Sequence, residues 1–110
     1  SNTATANDLA RLMATIAGGQ AVSADHSRQM LAILEAQEFN ELIPAGLPPG
    51  TRVAHKTGSI TGIMHDAAIV FPSRRAPYVL VVLTRGFEDP ARAAAAIRAV
   101  AGAAHTAHSG

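Results

Sequence analysis

Apolar residues recur at helical spacing in the first part of the chain. A capping-box-like start is formed by Thr5 with Asp8 three residues later, and Gly18-Gly19 ends the pattern. The apolar residues on one helical face are Leu9, Leu12, Met13 and Ile16. This pattern predicts a helix over about residues 5–17.

A second helix is predicted over about residues 23–38. Ser23 can cap its start, and Met30, Leu31 and Leu34 recur at helical spacing. The segment from Pro44 to Gly50 is rich in glycine and proline, which end helices. The two helices therefore form a hairpin that is followed by a loop.

Three strands are predicted at about residues 52–57, 65–71 and 78–84. Their connections, Ser59–Gly62 and Pro72–Pro77, are short, which favours an antiparallel meander. The third strand is apolar on both faces from Val79 to Leu83, as expected of a strand with neighbours on both sides. As the last strand of a meander it would nevertheless lie at an edge. We therefore expect partner strands from outside this chain, and self-association through the exposed edge when they are absent.

The last helix is predicted over about residues 90–104. Asp89-Pro90 supplies an N-cap and a first-turn proline, and Ile97, Val100 and Ala104 share one stripe. Residues 105–110 are expected to form a frayed tail. The predicted fold is α/β of the α+β type, with a three-stranded antiparallel meander flanked by an N-terminal helical hairpin and a C-terminal helix.

Composition limits the classes of function. A chain of 110 residues with 48% hydrophobic content makes at most one domain and is not disordered. The net charge is +1 and the basic residues are dispersed, apart from Arg74-Arg75, which argues against nucleic-acid binding. The chain contains no cysteine, no membrane-spanning apolar run and no visible export signal. The histidine spacings match no zinc pattern, so no metal or other cofactor is expected.

The candidate chemistry lies in Lys56-Thr57-Gly58-Ser59, at the end of the first predicted strand. A cation, a hydroxyl and a residue without a side chain suit an anion-binding wall. With the preceding LPPGTRVAH (Leu47–His55) and the following HDAAIV (His65–Val70), the segment resembles the class A β-lactamase and penicillin-binding-protein superfamily of serine hydrolases. The resemblance covers most of the chain and corresponds to the C-terminal portion of that fold.

The resemblance implies a role for each residue of the motif. Lys56 supplies positive potential, Thr57 donates a hydrogen bond to the substrate carboxylate, and Gly58 lets the acyl group lie close to the strand. The backbone N–H of Ser59 serves as an oxyanion-hole donor, and its hydroxyl can contact the carboxylate. For His65 two roles are open, namely support of the carboxylate site and, together with Asp66, satisfaction of buried backbone groups. His26 and His55 are given structural roles only.

The other motifs of that superfamily do not occur in this chain. No serine is followed by a lysine three residues later, so the S-x-x-K nucleophile segment is not found, and S-x-N is also lacking. The chain starts at Ser1 rather than methionine, which predicts a processed, cloned or proteolysed end. We therefore expect the nucleophile in an N-terminal half of the same protein, and we expect this chain to be inactive alone.

The sequence is compatible with several functions. The resemblance implies a secreted or periplasmic parent that acts on a β-lactam or an acyl-peptide through an acyl-serine intermediate. It leaves a D,D-peptidase fragment and a non-catalytic penicillin-binding-like or remnant domain as alternatives. A third alternative is an independent small interaction domain, which would be a folded monomer.

Overall fold

The computed structural model describes residues 6–20, 22–60 and 63–108. The helices in these ranges are α1 (Ala6–Ala17), α2 (Ala24–Glu35), a short 3-10 helix (Pro44–Gly46) and α3 (Pro90–Ala107). The strands are β1 (Arg52–Ile60), β2 (Ile63–Phe71) and β3 (Tyr78–Arg85), paired antiparallel in the order β1-β2-β3. The predicted α+β fold class, with its meander, helical hairpin and C-terminal helix, is confirmed.

Two of the predicted helix starts have the expected caps. The Ser23 side chain accepts a hydrogen bond from the backbone N–H of His26, and the Asp89 side chain accepts one from Ala91. Pro90 follows in the first turn of α3, where its missing N–H leaves no donor unpaired. The predicted cap at Thr5 lies outside the described residues.

The sheet separates two hydrophobic cores. The core beneath α3 and the 3-10 helix contains Leu42, Ile43, Leu47, Ala68, Val70, Tyr78, Val82, Ile97 and Ala101. The core beneath α1 and α2 contains Met13, Ile16, Ala54, Ala67 and Ile69. Because side chains alternate along a strand, successive residues of β1 face different cores. We call these two surfaces of the sheet the α3 face and the α1 face.

The first hairpin is longer than the sequence predicts. β1 continues past the predicted end at residue 57 to Ile60, and β2 begins at Ile63 rather than at residue 65. Gly58 pairs with His65 and Ser59 with Met64, so the expectation of a turn beginning at Ser59 is wrong. Pairing with β2 outweighs the local turn preference of the Ser-Ile-Thr-Gly segment. The whole candidate motif therefore lies on a regular strand.

The second helix is shorter than expected. It ends at Glu35 rather than near residue 38. Beyond it the Asn40 amide donates to the carbonyls of Gln37 and Glu38, which fixes a non-helical backbone. These bonds begin the loop that leads to the 3-10 helix.

The C-terminal helix differs most from expectation. It continues past residue 104 to Ala107, and His105 is buried, so the prediction of a frayed tail from residue 105 is wrong for the described part. The predicted stripe through Val100 is also wrong, because that side chain is 46% exposed. The buried stripe recurs every four residues through Ala93, Ile97, Ala101 and His105.

Strand β3 forms one edge of the sheet made by the described residues. Leu83 on this strand is 44% exposed, and Val79 and Val81 are only partly buried. None of the helices in the described ranges is both long enough and apolar enough to span a lipid bilayer.

Candidate functional site

The candidate motif lies on β1, the other edge strand among the described residues. Thr57 is paired with Asp66 and Ser59 with Met64, so both hydroxyl residues lie on the α3 face. Lys56 is paired with Ala67 and Gly58 with His65 on the α1 face. The side chains of Thr57 and Ser59 thus lie on the opposite face of the sheet from those of Lys56 and His65.

The lysine of the motif is exposed and makes a local contact. Its Nζ donates to the carbonyl oxygen of Thr57 at 2.8 Å. The ammonium group is thereby held against the edge of β1 rather than extended into solvent. The positive charge of Lys56 therefore lies beside the backbone of Thr57, whose hydroxyl is predicted to bind the substrate carboxylate.

The glycine of the motif is packed against a histidine. A β-carbon at Gly58 would lie 2.4 Å from Cε1 and 2.5 Å from Nε2 of His65, which is far inside van der Waals contact. The partly buried imidazole therefore covers the α1 face of this glycine, as aromatic rings often cover glycines of a neighbouring strand. Gly58 is required by the cross-strand neighbour itself, whatever approaches the strand from outside.

On the α3 face, the two hydroxyl residues border a cavity of about 170 Å³. Its lining residues are Phe39, Leu42, Thr57, Gly58, Ser59 and Met64. Thr57 is partly buried and Ser59 is exposed, so the hydroxyl side of the cavity is reachable from solvent. The rest of the lining is apolar.

A buried polar network centred on His55 lies on the α3 face, next to Thr57 along β1. Its Nδ1 lies 3.0 Å from Oδ1 of Asp66, and its Nε2 lies 2.8 Å from Oδ1 of Asn40. Both ring nitrogens therefore lie within hydrogen-bond distance of a side-chain oxygen. His55 and Asp66 are 1% and 0% exposed, so this pairing replaces contacts with water.

The same network ties down the loop that follows α2. The second carboxylate oxygen of Asp66, Oδ2, accepts from the backbone N–H of Ile43 at 3.0 Å. Nη1 of Arg98 donates to the carbonyl of Glu41 at 3.0 Å, which links the loop to α3. Residues 37–43, which we call the Phe39 loop, are thus fixed at Asn40, Glu41 and Ile43 beside the hydroxyl residues of β1.

Sequence reasoning did not assign a site role to His55, Asn40 or Phe39. The alternation along β1 places His55, Thr57 and Ser59 on one face, and Asp66 is the diagonal neighbour of His55 across the hairpin. A hairpin register deduced from the sequence would have revealed that pair. Asp66 is bonded to His55 and Ile43, whereas His65 packs on Gly58, and its proposed contact with a carboxylate stays a prediction.

A second polar cluster lies at the far end of α3. Nη2 of Arg75 donates to Nε2 of His105 at 3.0 Å, so the proton of a neutral ring is on Nδ1, 2.6 Å from the Tyr78 oxygen. Burial lowers the pKa of His105 below its ordinary value of 6.5, and the positive charge of Arg75 and then His108 lower it further. Burial raises the pKa of Tyr78 above 10.0, with Arg75 acting in the opposite direction. The cluster anchors the end of the helix to β3 and to the β2–β3 turn.

Metal ligation has no support in the described part of the chain. Within residues 6–20, 22–60 and 63–108, no three histidine, aspartate or glutamate side chains are grouped as metal ligands. The chemistry available near the motif is hydrogen bonding, positive charge and apolar contact.

Comparison with protein families places these features in a wider group. The model of the "Beta-lactamase enzyme family" matches residues 1–107. A β-lactamase of Bacillus amyloliquefaciens is 47% identical over 53 residues, which is 47% of this chain and 17% of that protein.

Solved structures agree with the family match. A β-lactamase from Sphaerobacter thermophilus has a TM-score of 0.87 at 30% identity, covering 96% of this chain and 41% of that one. The structure of PBP-A has a TM-score of 0.82 at 35% identity, covering 92% of this chain and 38% of that one. A mutant of PBP-A was solved as an acyl-enzyme complex with penicillin G. This chain therefore spans about two fifths or less of the length of these relatives.

Proposed function

Because this chain belongs to the beta-lactamase enzyme family, we propose that it supplies one wall of the active site of a β-lactamase-like serine hydrolase. The observation that carries the proposal is the placement of Thr57 and Ser59 on the α3 face of β1, where both border a solvent-reachable cavity. Within the described part of the chain, no strand pairs with the other side of β1, which leaves that side open to a substrate. The matching positions in sequence carry the K-T-G motif of the family.

The proposed reaction is amide hydrolysis through an acyl-serine. The hydroxyl of a serine loses its proton as its oxygen adds to the carbonyl carbon of a β-lactam or acyl-peptide. The C–N bond then breaks and a proton passes to the nitrogen, which departs as an amine from an acyl-peptide and stays tethered in the opened β-lactam. Water then adds to the acyl-serine and releases a carboxylic acid and the free serine. No serine of these 110 residues is followed by a lysine three residues later, so the nucleophile comes from an N-terminal part of the same protein.

Each motif residue has a part in this reaction. The Thr57 hydroxyl donates to the substrate carboxylate, with the Ser59 hydroxyl beside it on the same face. The backbone N–H of Ser59 is one donor to the oxyanion that forms when the carbonyl is attacked. Lys56 provides positive potential close to both groups. His65 supports the carboxylate site in this proposal, and its ring also packs on Gly58 and braces the strand that carries the donors.

The proposal is tested by comparing this chain with the full product of its gene. We expect the full protein to form a covalent adduct with penicillin G, seen by mass spectrometry, and to hydrolyse nitrocefin. The 110-residue chain should do neither. A stoichiometric adduct on the chain alone would show that the nucleophile lies within it.

The role of Thr57 has its own control. In the full protein, Thr57→Ala should lower kcat/KM by about tenfold to a hundredfold, the loss expected for one hydrogen bond to a charged group. Thr15→Ala serves as the matched variant, because its hydroxyl makes a local bond to the Arg11 carbonyl within α1. Equal activity of the two variants would remove Thr57 from the site.

A second function is penicillin binding without efficient hydrolysis, as in a D,D-peptidase or a remnant domain. Likeness to PBP-A favours it, since a mutant of that protein holds penicillin G as an acyl-enzyme. The two functions differ in how long the adduct lasts. An adduct that accumulates without turnover of nitrocefin would favour a D,D-peptidase, and no adduct at all would favour a non-catalytic remnant.

For the parent protein we propose a secreted or periplasmic location, which is typical of the family. Within the parent protein, the N-terminal half covers the apolar edge of β3, where Leu83 is exposed in this chain. The proposed reaction requires neither a nucleic acid nor a cofactor.

A further inference from the structure

The cavity beside the hydroxyl residues is built mainly from apolar side chains. Phe39 and Leu42 come from the Phe39 loop and Met64 from the start of β2. Thr57, Gly58 and Ser59 complete the lining, and none of the six lining residues carries a charge. A carboxylate held by the two hydroxyls would therefore have hydrocarbon rather than a cation on this side.

The apolar part of the cavity is held in place rather than loosely attached. Asn40 follows Phe39 directly, and its amide group is fixed by two loop carbonyls and by His55. Leu42 is 1% exposed, and the next residue, Ile43, is bonded to Asp66. Phe39 is nevertheless 47% exposed, so its ring is available to a ligand. A site held in advance loses little freedom when a ligand binds.

The opposite side of the cavity is anchored by the sheet. The carbonyl of Met64 accepts a hydrogen bond from the Thr84 hydroxyl at 2.8 Å, which fixes the backbone from which this side chain extends. Methionine adapts its shape to aromatic neighbours through favourable sulfur contacts. The volume of the cavity, about 170 Å³, is close to that of an engineered apolar cavity of roughly 150 Å³ that binds benzene.

We propose that Phe39, Leu42 and Met64 form an apolar subsite for an aryl or alkyl group that lies beside the carboxylate of the substrate. The inference rests on the proposed function for the orientation of that carboxylate toward Thr57 and Ser59. It adds a substrate class to it, namely acyl compounds whose carboxylate has a bulky apolar neighbour. Continuity between the hydroxyls and the apolar lining within one cavity supports this occupant.

The subsite can be tested without turnover, by nuclear magnetic resonance of methionine methyl groups in the full protein. Benzoate is the probe, and acetate is the matched anion without a ring. Benzoate should shift the Met64 methyl signal, assigned with Met64→Leu, and acetate should not. The Met13 signal is an internal control, because this residue is buried in the core on the α1 face.

Variants separate the subsite from general effects. Phe39→Ala should weaken benzoate binding by about two- to tenfold, the range for an aromatic contact. Phe87→Ala, which changes a 37% exposed ring outside the cavity lining, should leave it unchanged. No Met64 shift with benzoate, or equal effects of the two variants, would overturn the subsite.

A kinetic measurement distinguishes failure of the subsite from failure of the proposed function. Two cephalosporins with the same acyl side chain should be compared, one with a methyl and one with an aryl group next to the carboxylate-bearing carbon. The subsite predicts a lower KM for the aryl compound, and Phe39→Ala should remove this preference. If benzoate shifts the Met64 signal but neither compound acylates the protein, the subsite is supported and the proposed hydrolase is refuted. If both compounds acylate the protein with no preference for the aryl group, the hydrolase is supported and the subsite is refuted.

Discussion

His55 and Asp66 form a buried pair, with Nδ1 of the imidazole 3.0 Å from Oδ1 of the carboxylate. The pair connects the strand that carries the candidate motif to the Phe39 loop, since Asp66 also accepts from Ile43 and His55 also faces Asn40. Removal of either partner leaves polar groups buried without bonds. The pair therefore links the strand that carries Thr57 and Ser59 to the Phe39 loop, which supplies the apolar side of the cavity.

We expect Asp66→Ala to lower the free energy of unfolding by about 2–5 kcal/mol, because it leaves the buried His55 ring and the Ile43 N–H without their partner, and each such group costs about 1–3 kcal/mol. Asp25→Ala is the control, since Asp25 pairs with Arg28 on the surface and should cost about 1 kcal/mol or less. Urea denaturation of both variants measures the difference. Similar losses would show that the buried pair contributes no more than a surface one.

Gly58→Ala should displace the His65 ring, at a cost of about 1–3 kcal/mol from overpacking. The same change in a His65→Ala background should cost clearly less, because the atoms that the new β-carbon meets are gone. A double-mutant cycle of unfolding free energies measures this coupling. Equal costs in both backgrounds would place the constraint on Gly58 elsewhere.

The pKa of His105 should lie below 6.5 when measured by nuclear magnetic resonance titration, because burial, Arg75 and His108 all disfavour its protonation. Arg75→Gln should raise it, whereas Arg74→Gln, one residue away on an exposed side chain, should not. A titration that responds equally to the two variants would contradict the contact with Arg75.

The same shift sets a direction for stability. The unfolded chain binds the His105 proton more readily than the folded chain, so this contribution is fully present above about pH 6.5. It is lost as the pH falls through the lower pKa of the folded state. Unfolding free energies measured across this range should therefore fall less steeply toward acid in His105→Gln than in the unchanged protein.

In isolation, this chain should self-associate through the edge of β3. Leu83→Lys should reduce association, because a charge on an edge strand disfavours pairing with another edge. Leu12→Lys, at a 51% exposed position on α1, should have little effect. Sedimentation of the three proteins tests this, and a stable monomer of the unchanged chain would contradict it.

Local pattern predicted the order and class of the elements, because each helix and strand carries its own period of apolar residues. The ends of elements were predicted less well where a distant partner decides them. His105 belongs to a helix rather than to a frayed tail because Tyr78 and Arg75 bind its ring from β3 and its turn. Nothing within residues 105–110 themselves carries that information.

The candidate site divides in the same way. Lys56 to Ser59 could be identified from the chain alone, since their chemistry and spacing are local. The apolar lining could not, because Phe39 lies far from Met64 in sequence and reaches the cavity through bonds made by Asn40 and Ile43. The sequence pattern identifies Thr57 and Ser59, whereas long-range packing determines which apolar side chains lie beside them.

Because side chains alternate along β1, an insertion or deletion in this strand disturbs the motif more than a substitution does. Ala54 is held in one core and Val53 packs against the other, so the strand cannot rotate as a whole. Deletion of His55 would move Lys56 onto the α3 face and Thr57 onto the α1 face. Single-residue insertions and deletions upstream of Lys56 should thus be far more damaging than most substitutions in the same strand, so variation at these positions should occur by exchange of residues at constant length.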